Sequence, residues 1–286
     1  MLRVVQYNIH RFLHPSNSKK STLNDIVSSL KLLSPDVLAL NEMDVTTSPT
    51  ALNDLSQHLK LPHVEFYGHV RQRYGNAILS KFPLKRVVAT QLNGGTSVSF
   101  PPGTVKLNGD ISKEGETHQI VRGLLVCELK LPSVKVYIGC THLDHIDIQQ
   151  RKIQLKHIQE IFQNINETKP IILTGDFNAL NREDYTDSQW NVLEKIADEN
   201  NWNQPSFGDL LQLTSDGFID SGTINSPTMF TAPTSEPKYR IDYLWTKNSP
   251  SIEINCLSHQ VDTNISFSDH FPICVDLEFT CKNARL

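Results

Sequence analysis

Short runs of Val, Ile and Leu recur along the chain, and six of them stop on a side chain able to bind metal or phosphate. They are Val4-Val5-Gln6-Tyr7-Asn8, Val37-Leu38-Ala39-Leu40-Asn41-Glu42, Val136-Tyr137-Ile138-Gly139-Cys140-Thr141-His142, Ile171-Ile172-Leu173-Thr174-Gly175-Asp176-Phe177-Asn178, Arg240-Ile241-Asp242-Tyr243-Leu244-Trp245 and Ser268-Asp269-His270-Phe271-Pro272-Ile273. Continuous β-branched runs of this length predict strands buried on both faces. Polar groups gathered at strand ends are where sheet proteins place chemistry. The pattern predicts strands over 2–9, 37–42, 123–129, 135–141, 171–176, 240–246, 252–259 and 273–279, with a β-meander over 63–92. Apolar residues at helical spacing predict helices over 22–33, 51–59, 148–164 and 187–200, the first stopped by Ser34-Pro35. Residues 93–118 hold Gly94-Gly95, Pro101-Pro102-Gly103 and Asn108-Gly109. That density of turn dipeptides predicts a hairpin-like excursion outside the main sheet. A second loop-rich stretch covers 205–238. The elements neither repeat as βαβ units nor segregate by type, so two packed sheets with helices outside them are expected, in one domain over 1–286.

Composition narrows the function. The formal net charge is −4, with 38% hydrophobic and 20% charged residues. No Lys/Arg tract advertises a strong grip on duplex nucleic acid, although a local groove can be basic on a neutral protein. Cys127, Cys140, Cys256, Cys274 and Cys281 are odd in number and lack zinc-ligand spacing, which reads as free thiols in a reducing compartment. The first strand begins at Leu2, leaving no room for a signal peptide, and no run reaches membrane-span length. The Asn166-Glu167-Thr168 and Asn264-Ile265-Ser266 sequons are read as chance. The expectation is a monomer in the cytoplasm or nucleus, without stable membrane association.

Several segments together resemble the endonuclease/exonuclease/phosphatase superfamily, the DNase I-like metal-dependent phosphoesterases. They are Gln6-Tyr7-Asn8, Leu40-Asn41-Glu42, Gly75 to Ser80, Thr141-His142-Leu143, Gly175-Asp176-Phe177-Asn178-Ala179, Arg240-Ile241-Asp242-Tyr243 and Ser268-Asp269-His270. Each is short, but the ordered set spans nearly the whole chain. The resemblance implies an α/β four-layer sandwich of two mixed β-sheets flanked by helices, with Mg²⁺ (or Mn²⁺) as cofactor. The chain departs from the abasic-site nucleases, which carry a carboxylate where it has His10. It departs from the inositol-polyphosphate phosphatases, which carry Asp-Arg where it has Asp242-Tyr243. Thr141-His142-Leu143 is closer to the sphingomyelinase, deadenylase and tyrosyl-DNA phosphodiesterase branches.

Phosphoester hydrolysis needs neutralised phosphate oxygens, an activated in-line water and a stabilised leaving group, and a hard cation with oxygen ligands serves the first and last. Glu42 is the first candidate ligand, with Asn8 and Asp269 helping directly or through water. Asp176 and Asn178, two apart on an extended segment, would face the same way, one to orient or deprotonate water and the other to donate to a phosphoryl oxygen. Asp242 and His270 form the family's His–Asp pair, and the general base is either His270 or Asp176. His142 would donate to another phosphate oxygen. Three further residues carry two readings each. Arg122 clamps phosphate or is a surface arginine. Asn76 touches substrate or shapes a turn. Asp144 meets metal or substrate, or it caps a helix, as Asp147 also could. His14, His58, His69 and His157 are read as surface or structural. The leading expectation is a phosphodiesterase acting on a nucleic-acid end or another phosphoester. Its rivals are a phospholipid-headgroup or inositol-phosphate hydrolase and a catalytically inactive binding module. For the lipid reading, Phe100-Pro101-Pro102 and Phe207 would be the exposed apolar loops.

Overall fold

The computed structural model describes residues 1–104, 111–165, 168–200, 205, 208–223 and 230–282. The Asn108-Gly109 turn, Phe207 and Asn166-Glu167 of the first sequon lie outside them. The apolar runs form two six-stranded mixed sheets. In the first the order is Ile252–Val261, Ile273–Cys281, Leu2–Asn8, Val37–Asp44, Tyr74–Ser80, His63–Val70. In the second it is Ile219–Asp220, Asp242–Lys247, Ile171–Asp176, Lys135–His142, Gly123–Lys130, Leu84–Gln91.

The sheets stack face to face, and strand alternation divides each run between two cores. Val4, Val37, Ala39, Ile78 and Ile273 point inward against Leu125, Ile138, Cys140, Ile172 and Leu244 of the other sheet. Their neighbours Val5, Leu38, Leu40 and Leu79 point outward, onto Ile26, Val27, Leu30 and Leu55 of helices Leu23–Leu33 and Ala51–Leu59. On the far side, Leu124, Val126, Leu173, Tyr243 and Trp245 bury Leu155, Ile158 and Phe162 of helix Ile148–Asn164. Burial on both faces is why these strands read as unbroken apolar runs rather than alternating ones. Helix, sheet, sheet and helix make the four layers. Helix Asp187–Glu199, started by a Thr186/Gln189 capping box, packs Trp190 and Leu193 on Tyr185 in a satellite core.

Each sheet contains one parallel pair, and these pairs position the chemistry. Leu2–Asn8 runs parallel to Val37–Asp44, with Asn8 paired to Asn41. Lys135–His142 runs parallel to Ile171–Asp176, and Asp242–Lys247 lies antiparallel beside them, so His142, Asp176 and Asp242 fall in one row.

The expected meander is corrected. His63–Val70 and Tyr74–Ser80 pair in the first sheet, but Leu84–Gln91 crosses to the second and pairs with Gly123–Lys130. The polar loop after Ile9 folds a small hairpin, Leu13–His14 with Asn17–Ser21. The 93–118 excursion closes as a hairpin, Ser97–Ser99 with Thr117–Gln119, as its turn signals indicated. All five cysteines are free, with Cys127 and Cys140 buried and Cys281 exposed. Among the described residues no helix is long and apolar enough to cross a membrane.

Candidate active site

At the edge where the parallel pairs end, amide side chains tie the two sheets together. Asn41 Oδ1 accepts from Gln6 Nε2 (3.0 Å) and from the backbone N–H of Asp176 (2.9 Å). Its Nδ2 donates to Asn76 Oδ1 (3.0 Å) and the Thr141 carbonyl (2.8 Å). Asn76 Nδ2 donates in turn to the carbonyls of Gly123 (2.9 Å) and Cys140 (3.3 Å). Asn76 is fully buried in this seam, with both its side-chain polar atoms bonded to protein. Its expected substrate contact is therefore corrected to an internal tie.

Above the seam sits the ionisable cluster. Asp242 Oδ2 accepts from His270 Nδ1 at 2.7 Å, and Asp242 Oδ1 accepts from Gln6 Nε2 at 3.0 Å. The carboxylate thereby fixes the ring and leaves His270 Nε2 facing Asp176 Oδ2 at 3.7 Å. Asn8 Nδ2 donates to that same oxygen at 2.9 Å and lies 3.4 Å from Glu42 Oε1. Ser268 anchors the last motif by donating its hydroxyl to the Asn8 carbonyl at 2.7 Å. Ligand atoms of Asp176, Asp242 and His270 all lie within 4.8 Å of one another.

Electrostatics separates the roles. Burial opposes charge on His270, but the Asp242 and Asp176 carboxylates outweigh it and hold the imidazole protonated, well above its ordinary range. Burial pushes Asp176 up to about 7, against the pull of the His270 charge and with the Asp242 charge adding to the rise. Asp269 moves the other way, to about 2: burial is outweighed by its bond to His10, at 3.2 Å, and by the His270 charge. His142 is neutral, its pKa lowered by burial and by the Arg122 charge. The geometry agrees, because guanidinium can only donate and Arg122 Nη1 lies 3.3 Å from His142 Nδ1. The proton of His142 is therefore on Nε2, which faces Asp176 Oδ2 at 3.4 Å.

Glu42, Arg122, His142, Asp176, Asn178, Asp269 and His270 line one cavity of about 870 Å³. Arg122 is no surface residue: it is 6% exposed and donates through Nη2 to His145 at 3.0 Å. Glu42 lies in a β-bulge at φ 60°, a left-handed backbone that turns its carboxylate off the regular strand face. Asn178 reaches the cavity differently from expectation. The strand ends at Asp176, and Asn178 adopts φ 48°, its Nδ2 bonded to the Leu143 carbonyl at 3.2 Å. Strand alternation therefore does not align it with Asp176.

Asp144 is corrected as well. Its carboxylate is fully buried and turned into its own loop: Oδ1 accepts from Thr96 Oγ1 (2.9 Å), Ile146 N (2.8 Å) and Asp147 N (3.0 Å), and Oδ2 from Thr96 N (2.7 Å), so it does not line the cavity. Asp147 is the actual N-cap of the following helix. Three residues escaped the sequence reading of roles. Gln6 and Asn41 carried a signal, since buried amides interrupt apolar strands. His145, bonded to Arg122, carried none; His69 is structural, buried near Arg122 and pushed to about 3.

The donor set suits a hard divalent cation. Glu42, Asp176, Asp242 and Asp269 bring four carboxylates together, faced by His270 and the partly exposed His10 among others. Glu42, Asp269 and the Asn8 amide would hold such an ion through oxygen.

A sequence model of the "Endonuclease/Exonuclease/phosphatase family" matches residues 5–270. The chain belongs to that family. Solved structures of the family share its fold. One is an endonuclease/exonuclease/phosphatase from Beutenbergia cavernae, 20% identical, with TM-score 0.66 over 97% of this chain and 71% of that one. Another is a mannosyl-6-phosphatase from Bacteroides thetaiotaomicron, 20% identical, with TM-score 0.59 over 98% and 100%. A third is D. rerio TDP2 humanized by 14 mutations, 16% identical, with TM-score 0.59 over 97% and 98%. No curated protein matches the sequence. Members of the endonuclease/exonuclease/phosphatase family are generally metal-dependent hydrolases of phosphoester bonds, and the acidic cluster at this sheet edge is where such chemistry would sit.

Proposed function

We infer that the protein is a Mg²⁺- or Mn²⁺-dependent phosphoesterase that hydrolyses a phosphodiester by in-line attack of water. One observation carries this reading: Glu42, Asn8, Asp176, His270 and Asp242 form a continuous chain of contacts, and Glu42, Asp176 and His270 open on a single cavity. Bound by Glu42, Asp269 and Asn8, the cation would supply charge neutralisation at a phosphoryl oxygen and at the leaving alkoxide. The chain's own groups divide the rest. His270 already carries its proton and so acts as donor to the phosphoryl group rather than as base. Asp176, poised near neutrality, accepts the proton of the attacking water. Asn8 Nδ2 and His142 Nε2 both point at Asp176 Oδ2 and fix where that base sits. Asn178 and Arg122 would donate to the remaining phosphoryl oxygens. An inactive binding module would not need this set intact.

The substrate is proposed to be an isolated phosphoester such as a nucleic-acid end. A panel of single- and double-stranded DNA, RNA, a 5′-tyrosyl oligonucleotide, an inositol phosphate and sphingomyelin tests this with Mg²⁺, Mn²⁺ or EDTA. Turnover of one class that needs metal supports the reading and names the leaving group. Turnover that persists in excess EDTA would overturn the metal-assisted mechanism.

A further inference from the structure

Beyond the catalytic cluster, the 870 Å³ cavity continues between the 93–118 hairpin and the loop after His142. This part is chemically unlike the rest. Val98, Phe100, Ile120, Val121 and Ile146 line it, interleaved with Thr104, His118 and Gln119, with Phe100 38% and Ile146 39% exposed. Large apolar side chains left open inside a cavity mark a place where a ligand supplies the missing contact. Phe100 stacks on His118, ring centroids 6.0 Å apart and planes 28° from parallel, making a flat platform.

The platform is built onto the catalytic edge. Val98 and His118 are cross-strand partners in the hairpin. The root of that hairpin is held by the two bonds from Thr96 to Asp144, two residues past His142, and by Gly95 N–H donating to Gln150 Oε1 at 2.8 Å. The two Thr96 bonds to Asp144 thus fix the wall relative to the phosphate-facing groups.

Charge limits what else the substrate carries. Among the described residues lining the cavity there is no lysine, and the arginines are Arg11 and Arg122. Arg11 is committed to Asp44 at 3.0 Å, which leaves Arg122 for one phosphoryl group. Among the described lining residues a second phosphate meets no further lysine or arginine.

Resting on the phosphoesterase reading, the geometry points to a substrate class: a single phosphoester carrying a planar aromatic ring, which packs face-on against Phe100 and edge-on against Ile146. The apolar side chains of that wall meet a ring through its face. An aryl ester and a nucleobase share this chemistry.

The test uses metal-loaded protein and three non-hydrolysable probes: methylphosphonate, phenylphosphonate and the 5′-methylenephosphonate of thymidine, with dissociation constants measured by calorimetry. At least one ring-bearing probe is expected to bind about tenfold tighter than methylphosphonate, the scale of one ring stacking on an aromatic side chain. Phe100→Ala and, separately, Ile146→Ser are expected to cut that ratio to about threefold or less. The larger gain with phenylphosphonate assigns an aryl ester, and with the thymidine probe a nucleotide; either supports the inference. Metal-dependent methylphosphonate binding with no ring preference, or a preference untouched by both substitutions, overturns this inference alone. If no phosphonate binds, the phosphoesterase reading falls with it.

Discussion

Asn41 uses every polar atom it has, between strands that are distant in sequence. Its partners Gln6, Asn76, Thr141 and Asp176 come from both sheets. Asn41→Ala would strand the Asp176 N–H and the Thr141 carbonyl in a dry seam, at a cost of about 1–3 kcal/mol for each unsatisfied group. Denaturant unfolding should show that loss, and the turnover of the surviving folded protein should fall as well, because Asp176 is no longer held in place. His270→Ala and Asp176→Ala differ in kind. They remove reacting groups at a strand end, so each is expected to cost several kcal/mol of transition-state stabilisation, about 1.4 for each tenfold in rate, while the unfolding midpoint changes little. At this scale the sequence revealed the residues but not their jobs. Glu42, Asp176, Asp242, Asp269 and His270 stand where apolar runs stop, and all five converge. Asn76, Asp144 and Asn41 could not be sorted from one another, since what a buried amide or carboxylate does depends on partners 35 to 135 residues away.

Among the elements, the Ile171–Asp176 strand is the most constrained. Gly175 has φ 145°, and a Cβ there would lie 1.8 Å from the Thr141 carbonyl oxygen of the parallel neighbour. Gly175→Ala therefore forces the Lys135–His142 and Ile171–Asp176 strands apart at the row that carries His142 and Asp176. We expect destabilisation of about 4 kcal/mol or more, at the far end of single-substitution effects, seen as loss of folded protein in circular dichroism. Strand existence was legible because a doubly buried strand is apolar throughout. Strand partnership was not. Leu84–Gln91 carries a largely exposed edge pattern that either sheet would accept, and its transfer to the second sheet breaks the meander. The short helix Leu211–Ser215 and the strand Ile219–Asp220 were also hidden, being too brief for any period to show.

Over the whole molecule, burial has set several imidazoles against their ordinary titration. His69 is pushed to about 3 and His259 to about 4, both by burial first and by a nearby arginine second. These rings stay neutral in the folded protein, whereas an unfolded chain protonates them near 6.5. Between about pH 6.5 and 4 the unfolded state thus binds more protons, and stability drops as the pH falls by about 1.4 kcal/mol per unit for each group. His142 adds to the same slope, being lowered too. Asp176, raised to about 7, opposes it with one proton in the metal-free protein. The net sign is loss of stability on acidification. Unfolding midpoints at several pH values check this, and His259→Gln should flatten the slope by about one group's share.

The central claim is that this sheet edge is a metal-assisted phosphoesterase centre organised by Glu42 and by the Asp242–His270–Asp176 row. The most direct measurement is the hydrolysis rate of one turned-over substrate before EDTA, after EDTA and after Mg²⁺ add-back, for the wild-type chain and for Glu42→Ala. The account predicts full loss and full recovery in the wild type. It predicts a rate lower by about a hundredfold or more in Glu42→Ala, the scale of a lost electrostatic group, with an unchanged melting temperature. A Glu42→Ala protein that hydrolyses at the wild-type rate, or a wild type indifferent to EDTA, would contradict it.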